Sequence, residues 1–241
     1  MKHEIGRITA IFRYPVKSMA GISLNEAQLG LHGLEGDRRF AFRRLAEQGG
    51  FPWLTAAMLN EMILFKPLSS EDNLIPTHIR TPEGTTFELR SKELADEISR
   101  RFGAEVQLMQ LNHSTFDEAS VSLISHETIL KVERETERAI DVRRFRPNIL
   151  IETNSGIPFD EDHWVGHSIC FGEESDAPTV SVTLRDKRCV MINLDPDTAL
   201  QDAKVMKSVI RLNDNNAGVY GTVTKIGNLI VGQKVYLLKD R

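Results

Sequence analysis

Apolar residues along this chain fall mostly into short runs bounded by glycine, proline or polar residues. Such runs are typical of β-strands. They predict strands over residues 6–12, 22–29, 37–42, 62–65, 78–80, 86–89, 149–152, 168–171, 180–184 and 189–194, with a closing series over 218–238. Many short strands and few helices predict a mainly β protein (α+β), barrel-like, with peripheral helices.

Three segments depart from this pattern and predict helices. Residues 91–103 carry an apolar side chain at every fourth position of one face, and Gly103 suits the C-terminal cap. Residues 125–136 begin with Ser125, a favourable N-terminal cap. Residues 204–212 predict a third helix.

The chain turns polar around residues 112–119, which predicts a junction between two units. We expect an N-terminal domain over residues 1–115 and a C-terminal domain over residues 116–241. A chain of 241 residues can bury the core of one large domain or of two small ones.

Composition narrows the class of protein. The contents of 41% hydrophobic and 27% charged residues are ordinary for a globular chain, and the net charge of −4 offers no global basic field for a nucleic acid. No apolar run approaches the ~20 residues that span a bilayer, and the N-terminus is charged where a signal peptide would be apolar. The two cysteines, Cys170 and Cys189, are too few for a disulfide scaffold. We therefore expect a cytoplasmic protein with no membrane or nucleic-acid partner.

Cys189 stands in an unusual segment. It directly follows Arg188, with Arg185 and Lys187 close by, and adjacent cations favour the reactive thiolate form. An Asp-Pro pair at 195–196 then turns the chain. The alternative is a half-buried cysteine that packs in a strand as a small hydrophobic residue. On this segment alone, the packed cysteine is the simpler interpretation.

Two loops in the N-terminal half carry candidate anion-binding groups. Lys17 and Ser18 could hold a phosphate through an ammonium and a hydroxyl group. Arg38 follows a glycine-rich turn and offers a planar fork for phosphate or carboxylate. Solvated surface charges remain the alternative for both loops.

A third cluster lies at residues 143–146, where three of four positions are arginine. Pro147 stiffens the chain directly afterwards and would hold Arg146 and Asn148 in defined directions. The amide of Asn148 can donate and accept together, as the edge of a pterin or purine requires.

Other common sites are excluded by spacing. His163 and His167 have the separation of a helical zinc pair, but Gly166 and the short strands nearby argue against such a helix. The chain has no dinucleotide-binding glycine motif, no P-loop and no hydrolase Gly-x-Ser-x-Gly elbow.

Taken in order, these clusters resemble the MOSC family, named for the C-terminal domain of molybdenum-cofactor sulfurase. They are most similar to its branch with a MOSC N-terminal β-barrel domain, which includes the amidoxime-reducing components. The matching segments span nearly the whole chain: 14–18, 36–40, 123–125, 145–149, 188–198 and 218–235. The resemblance implies a MOSC β-barrel with peripheral helices and a smaller N-terminal β-barrel-like domain.

The resemblance also implies a site. Cys189 would be the protein ligand to molybdenum, which the dithiolene of a pterin cofactor (molybdopterin) holds. The implied cofactor-binding residues are Lys17, Ser18, Arg38, Ser125, Arg146, Asn148 and Arg188. At the family level, pyridoxal-phosphate binding is implied as well.

The implied activity is the reduction of small N-hydroxylated compounds such as hydroxylaminopurines or amidoximes. The chain ends soon after the closing strand, so we expect electrons from a separate reductase or a ferredoxin-type protein. Two alternatives remain open: a sulfur carrier with a persulfide on Cys189, and a non-catalytic module that binds or transfers molybdenum cofactor.

Four positions in three segments depart from the pattern of this family. Ile192 and Asn193 stand where threonines are common, and Ala199 stands where glycine is usual. Thr55 is not followed by the arginine of a Thr-x-Arg pattern. These departures bear on the substrate more than on the fold.

Overall fold

The computed structural model describes residues 2–47, 49–69, 74–112 and 118–238. Its strands are β1 (Lys2–Arg13), β2 (Ile22–Leu24), β3 (Glu26–Gly30), β4 (Gly33–Leu34), β5 (Phe40–Arg44), β6 (Lys66–Leu68), β7 (His78–Arg80), β8 (Thr86–Glu88), β9 (Val106–Gln110), β10 (Val121–Ser125), β11 (Ile149–Thr153), β12 (Ser168–Phe171), β13 (Thr179–Lys187), β14 (Asn216–Lys225), β15 (Gly227–Ile230) and β16 (Lys234–Leu238).

The helices are fewer. The α-helices are α1 (Lys92–Phe102), α2 (His126–Thr136) and α3 (Ala203–Asn213), and short 3-10 helices cover Asn60–Leu64, Val142–Arg144, Asp160–Trp164 and Val190–Asn193. No helix in the described ranges is both long enough and apolar enough to cross a membrane.

A closed barrel forms the centre of the molecule. Its strands follow the order β11-β10-β14-β13-β12-β16-β1, and β1 pairs again with β11. Closure leaves no strand edge exposed along the barrel. Its interior is filled by buried apolar side chains from every strand of the barrel, among them Ile8, Leu123, Ile151, Val180 and Val235. The predicted mainly β fold with a barrel and peripheral helices is confirmed.

The N-terminal half builds a second core, to which Leu194 of the C-terminal half also contributes. Strand β5 pairs with β9, and β6, β7 and β8 form a small antiparallel sheet. Buried residues that include Phe40, Phe42, Met62 and Leu94 pack beneath them. Strand β1 nevertheless pairs with β11 and β16, so the first strand of the chain completes the barrel of the C-terminal half. The boundary at residue 115 stays a prediction, since residues 113–117 lie outside the described ranges.

The three predicted helices are confirmed, together with the two predicted caps, Gly103 and Ser125. The hydroxyl of Ser91 accepts the N–H of Leu94 at the start of α1, and Gly103 ends that helix with a φ of 81°. Ser125 caps α2 in the same way. Helices α2 and α3 pack against one side of the barrel through a third cluster of buried apolar residues.

Two of the predicted strands are wrong. The apolar runs at 62–65 and 189–194 form the 3-10 helices Asn60–Leu64 and Val190–Asn193. Both runs pack one or two large side chains into a core while the chain turns, and a short apolar run does not distinguish this from a strand. The run at 22–29 is two strands, β2 and β3, which separate at Asn25.

Candidate functional site

An open cleft of about 830 Å³ lies where strand β13 ends beside the loops of the N-terminal half. It brings together six of the eight predicted site residues: Lys17, Ser18, Arg38, Arg146, Arg188 and Cys189. The remaining lining residues are Thr55, Glu118, Arg144, Phe145, Asp186, Lys187, Met191, Ile192 and Tyr220.

Cys189 is exposed to this cleft. It lies two residues beyond the end of β13, at the start of the 3-10 helix Val190–Asn193. Cys170, in contrast, is buried in β12, where its thiol contacts the carbonyl oxygen of Gly172 at 3.5 Å. The packed-cysteine interpretation of Cys189 is therefore wrong, since Cys189 is exposed and Cys170 is the buried cysteine.

Three residues of the cleft adopt a backbone conformation that side chains disfavour. The φ angles are 67° at Ser18, 46° at Arg38 and 50° at Arg146. Eight non-glycine residues in the described ranges have a positive φ. Three of these eight, Ser18, Arg38 and Arg146, line the same cleft. Each such conformation costs about 1–3 kcal/mol and persists only where its surroundings enforce it, often at functional sites.

Arg38 and Arg146 are held by a shared network. Arg38 forms an ion pair with the buried carboxylate of Asp37 and donates to the carbonyl oxygen of Arg146 at 3.1 Å. Arg146 donates to the carbonyl oxygen of Met19 at 2.8 Å. Both guanidinium groups thus reach the cleft in fixed positions.

Arg188, which directly precedes Cys189, takes part in a buried ion pair. Arg188 pairs with Asp186 and donates to the carbonyl oxygen of Phe145. Ser122 donates to the same carboxylate at 3.1 Å. Burial raises the pKa of Asp186 to about 6, although the adjacent Arg188 charge opposes this shift.

Asn148 lies behind the cleft wall. Its side-chain oxygen accepts the backbone N–H of Ser122 at 3.1 Å and a long contact from Arg38 at 3.4 Å, while its amide group donates to the oxygen of Phe12 at 3.3 Å. Through these bonds the Asn148 side chain joins neighbouring strands and supports Arg38. Its contact with a pterin edge stays a prediction without support from this geometry.

Ser125 is also away from the cleft lining. It is fully buried, caps α2 and donates to Glu161 at 2.6 Å. Burial raises the pKa of Glu161, and the hydrogen bond from Ser125 opposes the shift. Its role as a cofactor contact likewise stays a prediction.

The loop after Cys189 is anchored by the arginine cluster. Arg144 donates to the carbonyl oxygen of Asn193 and to the carboxylate of Asp195, both at 2.9 Å. Arg143 forms surface ion pairs with Asp141 and Asp197. Only Arg144 and Arg146 of this cluster therefore line the cleft.

Ile192 and Asn193, the two residues near Cys189 that differ from the family pattern, have different surroundings. Ile192 lines the cleft with part of its surface but is 1% exposed and packs in the cluster between α3 and the barrel. Asn193 is buried, and its side-chain oxygen accepts the N–H of Met206 near the start of α3. Asn193 thus braces the loop rather than facing a substrate.

The cleft is strongly cationic. Its described lining has six cationic side chains and two carboxylates, Glu118 and Asp186, whereas the whole chain has a net charge of −4. Clefts lined by one sign of charge concentrate ligands of the opposite sign. The arrangement therefore suits an anionic ligand.

A metal ion at Cys189 would need ligands from elsewhere. Within the described ranges, no group of three or more His, Cys, Asp or Glu side chains is arranged to hold a metal. The single thiol can supply one soft ligand. A bound molecule that brings its own metal ligands would complete such a site.

Sequence reasoning missed several lining residues. Thr55, Glu118 and Tyr220 come from distant parts of the chain, and no local pattern marks them. Asp186 lies within the basic segment before Cys189, but a carboxylate among cationic residues is usually an ordinary ion pair. The basic segment itself was the available signal.

Comparison with known proteins agrees with this fold. The mitochondrial amidoxime reducing component 2 of Rattus norvegicus is 22% identical, with 98% of this chain and 85% of that protein covered. The protein of the same name from Bos taurus is 25% identical, with coverages of 97% and 83%. The crystal structure of the YUAD protein from Bacillus subtilis matches all of both chains with a TM-score of 0.54 at 12% identity, which shows a shared fold.

Two family models also match. The model of the MOSC N-terminal beta barrel domain covers residues 5–126, and that of the MOSC domain covers residues 110–236. Together they account for nearly the whole chain, which therefore belongs to the MOSC family, in its branch with a MOSC N-terminal beta barrel domain.

Proposed function

We propose that this protein is a molybdenum-cofactor-dependent oxidoreductase that reduces small N-hydroxylated compounds. The observation that carries the proposal is the exposed thiol of Cys189 in a cleft whose lining includes six cationic side chains. The names of the relatives, amidoxime reducing components, support the class of reaction.

The side chains of the cleft fit such a cofactor. A thiolate is a soft ligand that suits a redox metal, and the dithiolene of a pterin would supply further ligands that the protein lacks. Lys17, Ser18, Arg38 and Arg146 offer charge and hydrogen bonds for the phosphate end of the cofactor.

When bound, the cofactor supplies two-electron redox chemistry at the molybdenum. The net reaction of a hydroxylamine consumes two electrons and two protons and yields an amine and water. The role of Cys189 is to remain a permanent ligand, whose surroundings tune the potential. A separate reductase or a ferredoxin-type protein would deliver the electrons. The cytoplasmic location and the pyridoxal-phosphate association stay predictions.

Turnover in the absence of a natural partner tests the proposal. The full chain, produced in a host that makes molybdenum cofactor, should reduce benzamidoxime or N-hydroxyadenine when a chemically reduced viologen dye supplies electrons. Cys189→Ala should abolish this reaction. Cys170→Ala is the matched control, because it removes the buried thiol and should retain activity.

Other outcomes identify the alternatives. Activity of Cys189→Ala equal to that of the wild type would exclude the proposed ligand. Bound molybdenum without turnover would favour a module that stores or transfers the cofactor. A persulfide on Cys189, detected by mass spectrometry in protein without molybdenum, would favour a sulfur carrier.

A further inference from the structure

We propose that Tyr14 is a positioning residue whose ring holds Arg38 and Arg146 as a rigid pair of anion-binding groups. The ring centroid lies 4.2 Å from the guanidinium carbon of Arg146 and 4.9 Å from that of Arg38. Both distances are within the roughly 6 Å range of cation–π attraction. The inference rests on the proposed function only in that an anionic ligand enters the cleft.

The ring provides what two neighbouring cations need. Arg38 and Arg146 both carry a positive charge, and their mutual repulsion would drive them apart in a flexible loop. The negative face of an aromatic ring attracts each guanidinium group and stiffens its position. A ligand then meets two forks that are already oriented, so that less side-chain entropy is lost on binding.

Tyr14 is itself fixed in place. It is 1% exposed, and its backbone N–H donates to a carboxylate oxygen of Asp37 at 2.7 Å. Its backbone oxygen accepts the N–H of Arg38 at 2.7 Å. Since Asp37 also pairs with the guanidinium group of Arg38, Tyr14 and Arg38 are joined through backbone and ring alike.

The loop at Gly21 packs closely against the ring of Tyr14 and limits its movement. A Cβ atom placed on Gly21 would lie 2.4 Å from Cε1 of Tyr14, so the loop closes directly against the ring. Replacement of Gly21 by alanine would therefore push the ring without removing it. This offers a second, independent way to disturb the same contact.

The ring face, rather than the hydroxyl group, performs this role. The hydroxyl is buried and has no hydrogen-bond partner among the described residues, and burial raises the pKa of Tyr14 to about 12. The hydroxyl therefore neither accepts from the two arginines nor carries a charge at neutral pH. Phenylalanine should reproduce the function of the residue, whereas leucine should not.

Calorimetric titration of the full chain with inorganic pyrophosphate tests the inference, with protein from a host that cannot make molybdopterin. Tyr14→Leu should weaken pyrophosphate binding about tenfold, and Tyr14→Phe should bind within about twofold of the wild type. Gly21→Ala should also weaken binding. Phe171→Leu, in the barrel interior, is the matched control, because it lowers stability at a fully buried aromatic residue away from the cleft.

A spectroscopic signature separates positioning from mere packing. The Nε–H resonances of Arg38 and Arg146 should show ring-current shifts in the wild type and in Tyr14→Phe, and these shifts should vanish in Tyr14→Leu. Phe171→Leu should preserve both the shifts and the affinity while it lowers the melting temperature.

Each of the following results would overturn the inference: wild-type affinity in Tyr14→Leu, equal losses in Tyr14→Phe and Tyr14→Leu, or a wild-type protein that does not bind pyrophosphate. If Tyr14→Leu does not fold, the affinity of Gly21→Ala for pyrophosphate tests the inference instead. An affinity equal to that of the wild type would then overturn the positioning role of Tyr14. Failure of the proposed function is distinguishable, because protein from a host that makes the cofactor would then lack molybdenum, while the cofactor-free protein of the titration would still bind pyrophosphate through these residues.

Discussion

The guanidinium group of Arg38 donates a hydrogen bond to the backbone oxygen of Arg146 at 3.1 Å, although the two residues are 108 positions apart. This bond joins a loop of the N-terminal half to the segment that enters strand β11 of the barrel. Both residues have a positive φ, and both side chains line the cleft of Cys189. Arg38 and Arg146 together form the anion-binding wall of the cleft. This wall therefore depends on the contact between the two halves of the chain.

Asn148 supports this wall from behind, and its removal should be costly. Asn148→Ala would leave the buried N–H of Ser122 and the oxygen of Phe12 without the partners seen here. Each buried polar group that loses its partner costs about 1–3 kcal/mol, so we expect the free energy of unfolding to fall by about 2–4 kcal/mol in urea titrations. A loss below about 0.5 kcal/mol would contradict the assigned contacts.

Ala199 should be a strained position that glycine relieves. Its φ is 57°, which explains physically why glycine is usual there in the family that the sequence resembles. Ala199→Gly should raise the free energy of unfolding by about 1 kcal/mol, because the cost of the left-handed conformation exceeds the added flexibility of the unfolded chain. Equal thermal stability of the two proteins would argue against that strain.

Asp186 should make stability depend on pH. Its pKa rises from 3.8 to about 6 on folding, so the protonated form is favoured in the folded state. The contribution of the protonated carboxyl group to the free energy of unfolding is complete below pH 3.8 and is lost as the pH rises through about 6. Relative to Asp186→Asn, the wild type should lose up to about 3 kcal/mol of unfolding free energy across this window.

Urea titrations at a series of pH values would measure the difference between the two proteins. Asp176→Asn, at an exposed position, controls for the change in net charge. A difference between wild type and Asp186→Asn that stays constant from pH 4 to pH 7, within about 0.5 kcal/mol, would contradict the shift.

Local chemistry made the helices predictable. Ser91, Gly103 and Ser125 cap their helices through bonds and angles that depend on neighbouring residues alone. The runs at 62–65 and 189–194 were mistaken for strands because their conformation is set by the cores they enter, which lie far along the chain. Strand β1 shows the same limit, since its partners β11 and β16 come from the other half.

The candidate site was only partly visible in the sequence. Charge patterns located Lys17, Arg38, Arg146 and Cys189, and the structure brings them to one cleft. The left-handed backbone at Arg38 and Arg146 was not predictable, because neither residue type favours it. The ring of Tyr14 between distant arginines leaves no local pattern either, since the contact exists only once the two halves meet.

The molybdenum content of the purified protein shows whether Cys189 holds the metal. Freshly purified full-length protein, from a host that makes the cofactor, would be measured by mass spectrometry of the metal alongside Cys189→Ser and Cys170→Ser. We expect near-stoichiometric molybdenum in the wild type and in Cys170→Ser, with most of it lost from Cys189→Ser, whose hydroxyl is a poorer ligand for a soft site. Wild-type protein without molybdenum, or equal molybdenum in all three proteins, would contradict the role of Cys189 as the metal ligand.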